Sequence, residues 1–82
     1  MDDLLRDLKA IKMPRGRKLD IIWGDEGKRI GLKRSSNSYR HVAQIYKDRF
    51  GCWLLRVIQK PTPAEWSWLM AAMHVACAHV EG

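Results

Sequence analysis

The stretch LDIIWGDEGKRIGLK, residues 19–33, decides the reading of the fold. Leu19, Ile21 and Trp23 alternate with Asp20 and Ile22, and Ile30 and Leu32 alternate with Arg29, Gly31 and Lys33. A period of two marks extended chain with one buried face. The glycines of Gly24-Asp25-Glu26-Gly27 between the two halves predict a turn, and hence a β-hairpin. Its second strand buries Ile30 and Leu32 and turns Arg29, Gly31 and Lys33 to solvent.

Working outward, RSSNS (34–38) is a polar loop. Tyr39–Tyr46 and Cys52–Ile58 predict a second hairpin around Asp48-Arg49-Phe50-Gly51, where Gly51 is suited to a positive φ. CWLLRVI is apolar on both faces, which predicts a central strand rather than an edge. At the start, DDLLRDLKAIK (2–12) predicts an amphipathic helix with Leu4, Leu5, Leu8 and Ile11 on one stripe, stopped by Pro14. PRGRK (14–18) is a basic connector.

The strongest local signal lies near the C-terminus. Thr62-Pro63-Ala64-Glu65 predicts a capping box with proline at the first helical position. Trp66, Leu69, Met70, Met73, Cys77 and Val80 then recur at helical spacing, predicting the core stripe. Trp68, Ala71, Ala72, Val75 and Ala78 leave the opposite side nearly as apolar. Either residues 4–11 cover it, or Trp68 and Val75 form a self-association surface that makes a homodimer through this helix. The predicted fold is α+β in the order α-β-β-β-β-α: an antiparallel four-stranded sheet, a C-terminal helix packed on one face, and a short N-terminal helix. At 82 residues the chain is read as a single small basic domain over residues 1–82.

Charge is unevenly distributed. The chain holds 15 Lys plus Arg against 9 Asp plus Glu, a formal net charge of +6. Every basic residue falls between Arg6 and Lys60, and residues 27–47 contain no acid. Such a cationic region attracts polyanions by counterion release and long-range steering. Arg15, Arg17, Lys18, Lys28, Arg29, Lys33, Arg34, Arg40, Lys47, Arg49 and Arg56 are the expected contacts to nucleic acid or an acidic partner. Tyr39, Tyr46 and Trp53 are candidate stacking platforms, with Trp53 the one best suited to the core.

Catalytic patterns are missing: there is no glycine-rich phosphate loop, no G-x-S-x-G and no paired carboxylates on one element. Ser35, Ser36 and Ser38 precede His41, but no nearby acid is expected to orient that ring. His41, Cys52, His74, Cys77 and His79 lack the paired close spacing of zinc ligands. No metal or other cofactor is expected. With two cysteines outside any CxxC pair, no visible signal peptide and no apolar run of membrane-spanning length, a cytoplasmic protein without membrane contact is expected.

The run SYRHVAQIYKDRFGCWLLRVIQKPTPAEW (38–66) resembles the RelE-type toxins, over about residues 38–75: a Tyr-Arg strand, an apolar strand, a basic residue, a proline turn and a helix. The resemblance implies a ribonuclease using Arg40, His41, Arg56 and Lys60. One helix before the sheet where that family usually has two, and a basic cluster reduced to Gln59-Lys60, depart from it. Strands followed by one helix also resemble the three-stranded arm-binding domains of phage integrases, which implies DNA binding. Because phosphate contacts position without specifying sequence, a DNA-binding accessory protein with this basic face is expected to be sequence-tolerant. The short basic α+β plan ending in strand-turn-strand-PTPAEW looks like small phage and prophage accessory proteins of the anti-CRISPR type. That likeness implies a non-enzymatic inhibitor of host defence that docks on nucleic acid or a nucleoprotein complex.

Overall fold

The computed structural model describes residues 2–24, 27–35 and 40–79. Tyr39, Ser36, Ser38, Asp25, Glu26, Val80 and the side chain of Lys28 lie outside the described residues. The elements are α1 (Asp2–Ala10), β1 (Lys18–Gly24), β2 (Gly27–Lys33), β3 (Ala43–Lys47), β4 (Trp53–Val57) and α2 (Pro63–Ala78). The four strands form one antiparallel sheet in the order β1-β2-β3-β4.

Register explains which side chains share a face. Leu19 pairs with Leu32, Ile21 with Ile30, Ile30 with Ile45, Leu32 with Ala43 and Ile45 with Leu55. Directly opposed residues point the same way, so one face is apolar across all four strands and receives the helices. Leu4 and Leu8 of α1, Ile30, Leu32, Val42, Ala43 and Ile45 of the sheet region, and Trp68, Leu69, Ala72 and Ala76 of α2 form the core. α2 packs on both β4 and α1.

Two expectations about packing are overturned. β4 is an edge strand, not a central one. Val57, on the core side, stays 42% exposed at that edge, while Leu54, on the helix-free face, is 39% exposed. The core stripe of α2 is Glu65, Trp68, Leu69, Ala72 and Ala76, while Trp66, Met70 and Cys77 are exposed. Trp68 is only 2% exposed and Val75 packs half-buried on the core. Neither supplies a self-association surface, because α1 covers that flank: Leu4 and Leu8 share the core cluster with Trp68, and His79 Nε2 donates to Asp7 Oδ2 at 2.8 Å. Periodicity alone could not choose between two apolar flanks of one helix; the position of α1 chooses.

The capping box is present as the sequence implies. Glu65 N donates to Thr62 Oγ1 at 3.2 Å, and Thr62 N donates to Glu65 Oε1 at 2.8 Å. The β3–β4 turn is held by Asp48, whose Oδ1 accepts from Phe50 N and Cys52 N, both at 2.9 Å. Gly51 there has φ of 84°, a conformation that costs a glycine little. Gly51→Ala places a Cβ in open space but in left-handed backbone, so a loss of about 1 kcal/mol in urea unfolding is expected.

Candidate nucleic-acid interface

The face of the sheet away from the helices is built from the alternate residues. Lys18, Asp20 and Ile22 come from β1, Arg29, Gly31 and Lys33 from β2, Gln44 and Tyr46 from β3, and Leu54 and Arg56 from β4. Four cations, Lys18, Arg29, Lys33 and Arg56, therefore share one open surface. Arg29 pairs across strands with Tyr46, and its guanidinium lies 4.8 Å from the ring centroid. An aromatic with a cation beside it suits a nucleobase and its phosphate together. Among the described residues, Asp20 is the one acid on this face.

Asp20 belongs to a side-chain network at the middle of the face. Gln44 Nε2 donates to His41 Nδ1 at 3.1 Å, which leaves the His41 proton on Nε2, donated to Asp20 Oδ2 at 2.8 Å. Lys33 Nζ lies 3.7 Å from the same oxygen. The His41 hydrogen bond holds the Asp20 carboxyl below its ordinary pKa; partial burial opposes it and the Lys33 charge assists. The expectation that no acid orients His41 is thus overturned. Asp20 is remote in sequence, and only the β1–β2 pairing that sets Asp20 opposite Gly31 brings it beneath the ring.

Gly31 makes that network possible. A Cβ built there would sit 2.3 Å, 2.6 Å and 2.9 Å from His41 Cδ2, Nε2 and Cγ. Gly31, expected to face solvent, is therefore buried beneath the ring; a glycine inside a strand signals a close approach of some group. Exchange of glycine for alanine in a strand normally gains up to about 1 kcal/mol. Overpacking against a ring tied at both nitrogens costs about 1–3 kcal/mol. The clash wins, so Gly31→Ala is expected to lower the urea midpoint and to release the His41 Nε2 proton to fast solvent exchange by NMR.

The remaining predicted cations divide by position. Arg40 is exposed directly before His41, Arg15 is exposed on the connector, and Arg49 sits at the turn 5.0 Å from the Phe50 ring centroid. Lys47 lies on the helix side of the sheet, 5.6 Å from the Trp53 ring, and Trp53 packs against the core as expected.

Arg17 and Arg34 are corrections to the expected set. Both converge on Glu65, whose side chain is fully buried. Arg17 Nε donates to Glu65 Oε2 at 3.0 Å, Arg34 Nε to the same oxygen at 3.1 Å, and Arg34 Nη2 to Oε1 at 3.2 Å. Arg34 Nη2 also donates to Lys60 O at 2.8 Å. These two guanidinium groups fasten the connector and the end of β2 to the start of α2, so their hydrogen bonds are committed inside the protein. Burial pushes the Glu65 carboxyl up, but the bonds from Arg34, Thr62 N and Arg17 outweigh it and hold it at about 2. Nothing in sequence separation joins residues 17, 34 and 65; the sheet and the capping turn do.

Among the described residues no cluster of His, Cys, Asp and Glu could hold a metal ion, and no helix is long and apolar enough to cross a membrane. Cys77, expected in the buried stripe, is exposed. No protein-family model matches the chain, no curated protein matches it, and no solved structure matches its fold.

Proposed function

We propose that the chain is a non-enzymatic cytoplasmic protein that binds nucleic acid, alone or within a nucleoprotein complex, across the open face of its sheet. The observation that carries this reading is that Lys18, Arg29, Lys33 and Arg56 share the face opposite the core with Tyr46, with Arg29 directly beside its ring. Side chains of this kind contact phosphate and stack on bases without reading base edges, so the binding is sequence-tolerant. Its mode of action is occupation: a small rigid sheet laid on a nucleic-acid path blocks other proteins from it. A phage-type inhibitor of host defence, of the anti-CRISPR kind, works this way.

Salt dependence tests the reading. Fluorescence anisotropy with a short labelled oligonucleotide should give affinity falling linearly on a log–log plot against salt. Arg29→Ala and Arg56→Ala should each reduce the slope by about one. Absence of binding to both DNA and RNA at low salt would sink it.

One observation favours a second reading, the RelE-type ribonuclease: the Asp20–His41 pair beside Lys33 resembles an oriented base next to a cation. Against it, both His41 ring nitrogens already have protein partners, which leaves neither for a substrate proton. Incubation with RNA discriminates. Cleavage abolished by His41→Ala would establish the nuclease, while intact RNA bound with the salt slope above supports the binder.

A further inference from the structure

Among the described residues, the exposed large hydrophobics Phe50, Leu54, Val57, Trp66 and Met70 fall on the β3–β4 turn, on β4 and on α2. On the helix, His79, Val75 and Trp68 mark the flank turned to α1. Trp66, Met70, Met73 and Cys77, at intervals of four, three and four, mark the opposite flank of α2, the helix that also packs on β4. Val57 points to the helix side of the sheet, because it pairs with Ala43 of the core. An apolar strip thus runs from the α2 flank down to the sheet edge.

That edge also has backbone to satisfy. Asp48 N donates to Cys52 O and Ile58 N to Val42 O, so the pairs that exchange hydrogen bonds with β3 are those of Leu54 with Tyr46 and Arg56 with Gln44. By alternation, Trp53, Leu55 and Val57 turn their N–H and C=O groups outward. The opposite edge, β1, carries Lys18 and Asp20, charges of the kind that deter edge pairing. β4 carries only Arg56.

We propose that two copies of the chain associate through β4, antiparallel about a two-fold axis at Leu55, forming one continuous eight-stranded sheet. The register is self-complementary. Leu55 faces Leu55 of the second copy and Trp53 faces its Val57, which uses the outward backbone groups of each. Arg56 falls opposite Leu54 of the second copy, so the edge cation meets an apolar residue and not another cation. The axis is perpendicular to the sheet, so both α2 helices lie on one side with the Trp66 and Met70 flanks facing each other. CWLLRVI then becomes the central strand that its two apolar faces imply. The two open faces also join into one longer cationic surface, although the dimer does not depend on what that surface binds.

Sedimentation equilibrium over a range of protein concentrations tests this. A dimer is expected, and because each copy carries +6, dimerisation strengthens with added salt, opposite in sign to nucleic-acid binding. Met70→Lys introduces facing like charges and should raise the dimer dissociation constant on the order of 10–100-fold. Val57→Pro removes an outward N–H without touching the β3 ladder and should act in the same direction. Met70 is half-exposed and its replacement leaves the core intact, so the melting curve of that variant reports whether it remains folded. A monomer up to the solubility limit, or a dimer untouched by a folded Met70→Lys, overturns the proposal. Arg29→Ala, on the open face, should weaken oligonucleotide binding and leave the dimer constant unchanged, which separates the two readings.

Discussion

Replacing Glu65 with alanine is expected to cost about 3–5 kcal/mol and leave a large part of the population unfolded. A domain of this size has about 4–12 kcal/mol in total, so the loss is decisive. The reason is that Glu65 is fully buried between two guanidinium groups while also closing the capping box. Alanine leaves Arg17 and Arg34 half-buried without their carboxylate, frees the Thr62 N–H, and loosens the connector, the end of β2 and α2 together. Glu65→Gln keeps the shape and one acceptor and should cost less than the alanine change. Urea unfolding followed by far-UV circular dichroism reads both. Acid should have a related effect. The carboxyl titrates at about 2 in the folded protein against an ordinary 4.5. A carboxyl lowered in this way contributes stability that is present in full above the ordinary value and disappears as pH falls toward about 2. Its size is roughly 3 kcal/mol. A chain whose stability is flat across that window, with Glu65→Gln as the reference, contradicts the assignment of Glu65 as the main fastener.

The second large effect concerns the open face. Reversing Arg29 and Arg56 together to glutamate should lower affinity for a short oligonucleotide at low salt on the order of 100-fold or more. Two phosphate contacts disappear and two repulsions replace them, and Arg29→Glu also strips the cation from the Tyr46 ring. Arg49→Glu changes the net charge in the same direction but sits at the turn, off that face, and should weaken binding by less than about 3-fold at moderate salt, where screening removes long-range effects. Equal losses from Arg49→Glu and from Arg29→Glu would mean that the protein is held by its overall charge and not by this surface. The anisotropy titration with folded variants measures the difference.

How far these residues were legible in the chain follows from the range of the forces involved. The α-β-β-β-β-α order, the capping box and the positive φ of Gly51 rest on neighbours within a few positions, and local pattern predicted them. Alternation also separated Arg29 and Lys33 from Ile30 and Leu32 before any register was known. What failed was everything set by position in the assembled sheet. WLLRV looks central but lies at the edge, because two apolar faces do not say how many strands flank a strand. Trp68 and Trp66 are two residues apart on a helix apolar on both flanks, and only the docking of α1 buries the first and exposes the second. Arg17 and Arg34 look like free cations until Glu65, far along the chain, is folded between them. His41 looks unsupported until Asp20 and Gly31 arrive from two other strands. Gly31 was read as solvent-facing, although a glycine within a strand is the one local signal that another group needs the space.

The central claim is that the helix-free face of the sheet is the surface that meets nucleic acid. An NMR titration of the labelled protein with a short single-stranded oligonucleotide tests it residue by residue. Shifts concentrated at Lys18, Arg29, Lys33, Gln44, Tyr46 and Arg56, with α2 unmoved, are the predicted result. Shifts centred on α2, on the Arg49–Phe50 turn or on the Arg17–Arg34–Glu65 cluster, or none at saturating oligonucleotide, would contradict it.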